Sequence, residues 1–129
     1  MGKLKVADAM RQAGAQVRVH DDHFPPDARD EDWLREVGRK QWVVLTRDQR
    51  IRHRKLELAA LFKARVAAFV FTGGNVSGED MADTLVRSLP AISRFVAKHP
   101  RPFIASIIKS GRIQLLLGGI RKGRRKQNF

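Results

Sequence analysis

The sequence contains no cysteine among its 129 residues. This excludes disulfide bonds and thiolate metal sites, and it fits a reducing cytoplasm. No apolar run approaches the roughly 20 residues that span a bilayer, and the first five residues lack the apolar core of a secretory signal. We therefore expect a cytoplasmic protein with no membrane partner.

Acidic residues are also scarce, since 13 Asp and Glu face 26 Lys and Arg for a net charge of +13. Such an excess favours a polyanionic partner, either a nucleic acid or an acidic protein, although a merely solvated basic surface has the same composition. Seven of the 13 acids lie in one short segment, namely Asp21, Asp22, Asp27, Asp30, Glu31, Asp32 and Glu36. This clustering suggests metal ions or a basic partner.

Helical and strand-like patterns alternate along the first three quarters of the chain. The predicted helices are residues 3–13, residues 31–37 between an Asp30 cap and Gly38, residues 55–63, and a helix after Ser77 that Pro90 kinks or breaks. The predicted strands are residues 15–20, 42–45 and 66–71. This alternation is typical of an α/β fold with a mainly parallel sheet. The unbroken apolar run at 42–45 suits a central strand buried on both faces.

Two further strand-like segments end the folded part of the chain. Residues 103–108 and 112–117 flank the turn at 109–111, which predicts a C-terminal antiparallel hairpin. Residues 118–129 carry many cations and almost nothing to bury, so we expect this tail to be disordered by itself. We therefore predict one domain over residues 1–117 and a basic tail over 118–129, in which Arg121, Arg124 and Arg125 bind nucleic acid.

Candidate catalytic residues follow the strand predicted at 42–45. Ligands of open α/β sheets bind outside the carboxyl ends of the strands, where Thr46 and Asp48 would lie, although Asp48 could simply cap the next turn. Asp30, at a helix start, is the second candidate. A carboxylate cluster without His or Cys at ligand spacing favours Mg²⁺ or Mn²⁺, and such clusters serve the hydrolysis of phosphodiesters. Asp22 and Glu31 are further candidate ligands.

The segment around Asp48 is strongly basic. We expect its cations to bind a nucleic-acid backbone, and they are Arg47, Arg50, Arg52, Arg54 and Lys55. Histidines in polar loops are more often solvated or hydrogen-bonded than bound to a metal, so we do not expect His20 and His23 to form a metal site. Trp33 and Trp42 are expected to face the core.

Several segments together resemble the bacterial PIN-like proteins, which are relatives of the VapC-type toxins of toxin–antitoxin pairs. The matching segments are residues 20–26, 30–34, 42–48, 51–52, 69–75 and 102–105, and the similarity extends to about Leu117. The resemblance implies a three-layer α/β/α fold and a metal-dependent endoribonuclease that a cognate antitoxin restrains. In this comparison Asp48 matches the acid of the Thr-x-Asp motif, and Asp30 matches the acid that opens the preceding helix.

The chain departs from the family pattern in two places. Family members open with a strand that ends in a metal-binding Asp, whereas this sequence starts at the helix after that strand. The residue two positions after Asp48, often acidic in the family, is Arg50. We expect either a true start further upstream or a degenerate copy, with an unpaired sheet edge that invites association, for example as a homodimer.

Three hypotheses follow from the sequence. The first is a metal-dependent endoribonuclease and toxin component. The second is a catalytically degenerate PIN-like module that binds RNA or an antitoxin through its basic surface. The third is an unrelated doubly wound domain with a small-molecule pocket, for which the sequence offers no motif.

Overall fold

The structure, a computed structural model, describes residues 30–47, 53–74 and 77–119, apart from the side chains of residues 30 and 31. In chain order these residues form α1 (Asp30–Arg39), β1 (Val43–Thr46), α2 (Lys55–Lys63), β2 (Ala67–Phe71), α3 (Gly78–Lys98), β3 (Phe103–Ile107) and β4 (Ile113–Gly118). The helix and strand predicted at 3–13 and 15–20, and the loop with His20 and His23, lie outside the described residues.

The described strands form one sheet in the order β1-β2-β3-β4. The pairs β1–β2 and β2–β3 are parallel, whereas β4 runs antiparallel to β3. The mainly parallel sheet and the C-terminal hairpin predicted from the sequence are therefore confirmed. The hairpin turn contains Gly111 at a φ of 92°, a conformation that glycine adopts without steric cost.

Helices cover both faces of this sheet, which gives the expected three layers. One face of β2 presents Phe69 to a core that α3 completes, and the other presents Val70 to a core that α1 and α2 complete. The side chains separate in this way because successive residues of a strand point to opposite faces. The chain moves across the sheet in one sense, from β1 to β2 to β3. The connecting helices α2 and α3 cover opposite faces of the sheet. The two crossovers therefore have opposite hands, and one of them belongs to the rare left-handed class.

The prediction that β1 is a central strand buried on both faces is wrong for the described sheet. β1 lies at the end of the strand order, its first residue Val43 is 36% exposed, and its other residues are half-buried. The fully buried strands are β2 and β3. Strands at the end of a sheet and strands in its middle can both carry an unbroken apolar run, so the run alone does not reveal whether a strand pairs on one side or on both. Trp33 and Trp42 pack against the core beside α1 and α2, as predicted.

The expected end of α1 and the expected break in α3 are both wrong. Gly38 was expected to end α1, but the helix includes it and continues to Arg39. A Cβ at Gly38 would overlap the carbonyl oxygen of Ala64, so close packing of two helix ends explains this glycine. Pro90 was expected to kink or break α3, and the break is wrong, because one helix runs through Pro90 from Gly78 to Lys98. Pro90 itself is exposed, but Leu85 before it and Ile92 after it are both buried in the same core. Packing on both sides of the proline holds the helix together.

The start of α3 follows the sequence prediction. The hydroxyl of Ser77 accepts a hydrogen bond from the backbone N–H of Asp80 at 3.1 Å, which satisfies one of the free N–H groups of the first turn. Further along, buried Thr84 donates from Oγ1 to the carbonyl oxygen of Lys109 at 3.2 Å. This bond ties α3 to the turn between β3 and β4.

Candidate active site at the carboxyl edge of the sheet

The parallel strands β1, β2 and β3 end at the same edge of the sheet, at Thr46, Phe71 and Ile107. Helices α2 and α3 follow β1 and β2, so both begin near this carboxyl edge. Helix α1 precedes β1 by a short turn and therefore runs antiparallel to it, which brings its first residue, Asp30, to the same edge. The fold thus places three strand ends and three helix starts where α/β proteins bind their ligands.

Thr46 is the last residue of β1 and is half-buried. It lies in register with Val70, and Val70 lies in register with Ser106 on β3. These three side chains share the face that α1 and α2 cover, because Val70 belongs to that core and parallel partners point the same way. Two strand spacings, about 10 Å, separate the positions of Thr46 and Ser106. Ser106 is only 5% exposed, so the row carries one buried and one half-buried hydroxyl.

Glu57 is an acidic residue of this edge that the sequence reasoning missed. It lies in the first turn of α2, its side chain is 10% exposed, and its Oε1 lies 3.8 Å from Nη1 of Arg54. A largely buried carboxylate at a helix start suits both the helix dipole and a bound cation. The available signal was an acid in the first turn of a helix that directly follows the candidate strand.

The structure brings three of the predicted nucleic-acid-binding residues to the carboxyl edge. Arg47 follows β1, Arg54 precedes α2, and Lys55 opens α2, and all three are exposed. Arg54 also contributes to the ion pair with Glu57, so its charge is partly balanced. The remaining predicted residues, Arg50, Arg52, Arg121, Arg124 and Arg125, lie outside the described residues.

The predicted metal ligands are largely beyond the described part of the chain. Asp22 and Asp48 lie outside it, and so do the side chains of Asp30 and Glu31. Within the described ranges no group of three or more His, Asp or Glu side chains could hold a metal ion. Among the donors that these ranges supply at the edge, the Thr46 hydroxyl and the Glu57 carboxylate offer oxygen atoms. Their chemistry therefore fits hard cations such as Mg²⁺ and Mn²⁺.

A family model described as a PIN-like domain matches residues 1–73, more than half of the chain. The chain belongs to the PIN-like domain family. The family resemblance read from the motifs is thereby confirmed, and an unrelated doubly wound domain is excluded. The region matched in this PIN-like protein contains both acids of the candidate pair, Asp30 and Asp48, together with Thr46. Searches of curated proteins and of solved structures return no match to the chain.

The family match does not extend to the finer features of the resemblance. The relation of this PIN-like protein to VapC-type toxins stays a prediction. Of the helices in the described ranges, none combines the length and the apolar character needed to cross a membrane.

Proposed function

We propose that this PIN-like protein is a metal-dependent endoribonuclease. The PIN-like family match over residues 1–73 carries the proposal, since it spans the candidate acids. The fold supports it by gathering the start of α1, the end of β1 and the start of α2 at one edge. In this proposal Asp30 and Asp48 are the principal ligands of Mg²⁺ or Mn²⁺, Asp22 and Glu31 are further ligands, and Glu57 adds a carboxylate from α2.

The remaining residues act on the RNA itself. The bound cation would supply charge stabilisation at the phosphate that is hydrolysed. The Thr46 hydroxyl would position a phosphate oxygen or the attacking water by a hydrogen bond. Arg47, Arg50, Arg52, Arg54 and Lys55 would bind the phosphodiester backbone on either side of the cleaved bond.

The test is the substitution Asp48→Asn, which removes one charge with little change in shape. We expect RNA cleavage in Mg²⁺ or Mn²⁺ to fall by about 100-fold or more, with the thermal midpoint of unfolding retained. The matched control is Asp83→Asn, because Asp83 is an exposed acid on α3; cleavage by this variant should stay at the wild-type rate. An unchanged rate in Asp48→Asn, with protein free of contaminating nuclease, would contradict the proposal.

A second candidate function rests on the net charge of +13. In that alternative the protein is a catalytically degenerate PIN-like module that binds RNA or an antitoxin through its basic surface. It predicts RNA binding that weakens steeply with salt and is indifferent to chelator. RNA cleavage that appears with Mg²⁺ or Mn²⁺ and disappears with chelator would decide for the nuclease.

We further propose that the protein acts on cytoplasmic RNA as the toxin component of a toxin–antitoxin pair. Inducible expression of the wild-type chain should arrest bacterial growth, and Asp48→Asn should relieve the arrest at equal protein level. Growth arrest by both proteins would mean that nuclease activity is not its cause.

A further inference from the structure

A cleft of about 610 Å³ lies at the amino edge of the sheet, opposite the candidate active site. The connections that lead into β1, β2 and β3 form it, together with the last turns of α1 and α3. Its lining residues are Arg35, Gly38, Arg39, Gln41, Ala64, Arg65, Val96, Ala97, Lys98, His99, Pro100 and Arg101. The volume is within the range of ligand-binding clefts.

The part of the lining of this amino-edge cleft that the described residues form is cationic and contains no carboxylate. Four arginines and one lysine contribute five permanent positive charges, and His99 adds an imidazole. Two of the arginines have acidic neighbours outside the lining: Arg35 lies 3.8 Å from Asp32, and Arg39 lies 2.8 Å from Glu36. The other three cations, Arg65, Lys98 and Arg101, make no ion pair within the described residues.

Compensation of helix dipoles explains only part of this charge. Basic residues in the last turn of a helix offset the partial negative charge of its free carbonyls, and Arg39, Lys63 and Lys98 hold that position in α1, α2 and α3. The three helix ends together carry roughly −1.5 charges, fewer than the five permanent cations of the lining. Arg65 and Arg101 lie beyond the helices and add positive charge that the dipoles do not require.

The backbone at two lining residues is strained. Gln41 and Arg65 have φ values of 60° and 58°, in the left-handed region that favours glycine. Each follows a helix whose last carbonyls it helps to satisfy; the N–H of Arg65 donates to the carbonyl of Phe62 at 3.1 Å. Glycine is the usual residue at this position of a helix terminus. Strain of this kind persists where the surrounding structure holds the backbone in place, and such residues are enriched at functional sites.

Arg101 is held in place before any ligand binds. Its guanidinium donates from Nη2 to the carbonyl oxygen of Gln41 at 3.1 Å and from Nη1 to that of Trp42 at 3.3 Å. Partial burial lowers its pKa from the usual arginine value without removing the charge. The close approach of Gly38 to Ala64 brings the ends of α1 and α2 together beside it. The cleft is therefore a preformed cationic surface.

We infer that the amino-edge cleft binds phosphate groups of an RNA strand, as a second site separate from the carboxyl edge. Arginine donors match the geometry of phosphate oxygens, and most of the permanent cations in the cleft are arginines. The choice of RNA over an acidic protein segment rests on the proposed ribonuclease function. The cleft would hold the strand at a distance from the cleaved bond.

The test compares two double variants that remove the same charge. Arg65→Gln with Lys98→Gln changes the cleft, whereas Lys109→Gln with Arg112→Gln changes two exposed cations of the β3–β4 turn region. Binding of a short 2′-O-methylated RNA, which resists cleavage, is measured by fluorescence anisotropy in EDTA across a salt series. The cleft pair should lower the slope of log K against log salt by about 1.4, which is about 25-fold in affinity at 0.1 M salt. The control double variant should lose several-fold less RNA affinity than the cleft double variant.

Three outcomes would overturn the inference. Wild-type affinity in the cleft pair would show that RNA does not contact the cleft. Equal losses in both pairs would show diffuse attraction to the basic surface. Competition by oligoglutamate as strong as competition by RNA of equal charge would assign the cleft to acidic proteins. Because binding is measured without metal and cleavage with it, failure of the nuclease proposal and failure of this inference give different results.

A single variant separates binding from folding. Arg65→Gly removes one cleft cation at a position where glycine suits the backbone. RNA affinity at 0.1 M salt should fall about fivefold, while the thermal midpoint of unfolding stays at or above that of the wild type. Wild-type affinity in a stable Arg65→Gly protein would argue against a role for this residue in binding.

Discussion

Arg65 occupies a backbone conformation that ordinarily belongs to glycine, with a φ of 58°. Removing its side chain should therefore relieve strain, and Arg65→Gly should raise the free energy of unfolding by about 1 kcal/mol. Urea unfolding at pH 7 measures the change. The matched control is Arg94→Gly within α3, where the same exchange should lower stability by about 1 kcal/mol. A loss of stability in both variants would mean that Arg65 makes contacts that outweigh the strain.

Glu36 links stability to pH through its neighbours on α1. Its carboxylate accepts hydrogen bonds from Arg39 at 2.8 and 3.0 Å, which together with the nearby Lys40 lower its pKa below the usual value. A carboxyl group whose pKa is lower in the folded state stabilises the folded protein at pH values above its unfolded-state pKa. That contribution is lost as the pH falls through the folded-state pKa. Glu36→Gln should thus lower the urea midpoint at pH 7, and the difference from wild type should shrink below about pH 4. A pH-independent difference would exclude the charge as its cause.

Gly38 shows how an element carries a constraint that its own sequence does not reveal. In most helices Gly→Ala raises stability by about 1 kcal/mol. Here the added Cβ would overlap the carbonyl oxygen of Ala64, and neither backbone can move without disturbing the packing of α1 on α2. Gly38→Ala should therefore lower the free energy of unfolding by about 1–3 kcal/mol. Ala59→Gly, at an exposed position of α2, calibrates the helix propensity alone; a gain in stability for Gly38→Ala would contradict the close approach.

Pro90 interrupts the hydrogen bonding of α3 without ending the helix. It cannot donate to the carbonyl of Val86, and its ring crowds that group. Pro90→Ala should restore the bond and raise the free energy of unfolding by about 1–3 kcal/mol, measured by urea unfolding. Ser93→Ala on the same helix is the control and should change stability by no more than about 0.5 kcal/mol. A destabilised Pro90→Ala protein would show that α3 requires the proline geometry.

The charge of the whole molecule is unevenly distributed along the chain. Residues 121–129 contain five cations and no acid, so this segment contributes five charges to the net charge of +13 of the chain. Removing these residues should lower the slope of log K against log salt for single-stranded RNA by at most about 3.5, since each phosphate contact contributes roughly 0.7. The anisotropy assay in EDTA measures the slope, and an unchanged thermal midpoint checks the fold. An unchanged slope would show that the tail does not contact RNA and would leave binding to the folded domain.

The local pattern of the chain predicted much of its architecture. The alternation of apolar segments indicated the parallel sheet, Ser77 indicated the start of α3, and residues 109–111 indicated the hairpin turn, because each depends on neighbours in sequence. The same reasoning identified Thr46 at a strand end and the family from its motifs. It missed Glu57, because an acid in the first turn of a helix is usually explained by the helix dipole alone.

By itself the sequence determined three properties: its short-range periodicity indicated the fold class, its composition gave the polycationic character, and its motifs indicated the PIN-like family. Only the tertiary structure decided that β1 ends the described sheet, that Gly38 serves contact with Ala64, and that α3 continues through Pro90. It alone also brought Arg65, Lys98 and Arg101 together in one cleft. The physical reason is that these features depend on which distant segments pack against each other, and residues far apart in the chain leave no spacing pattern that records their contact.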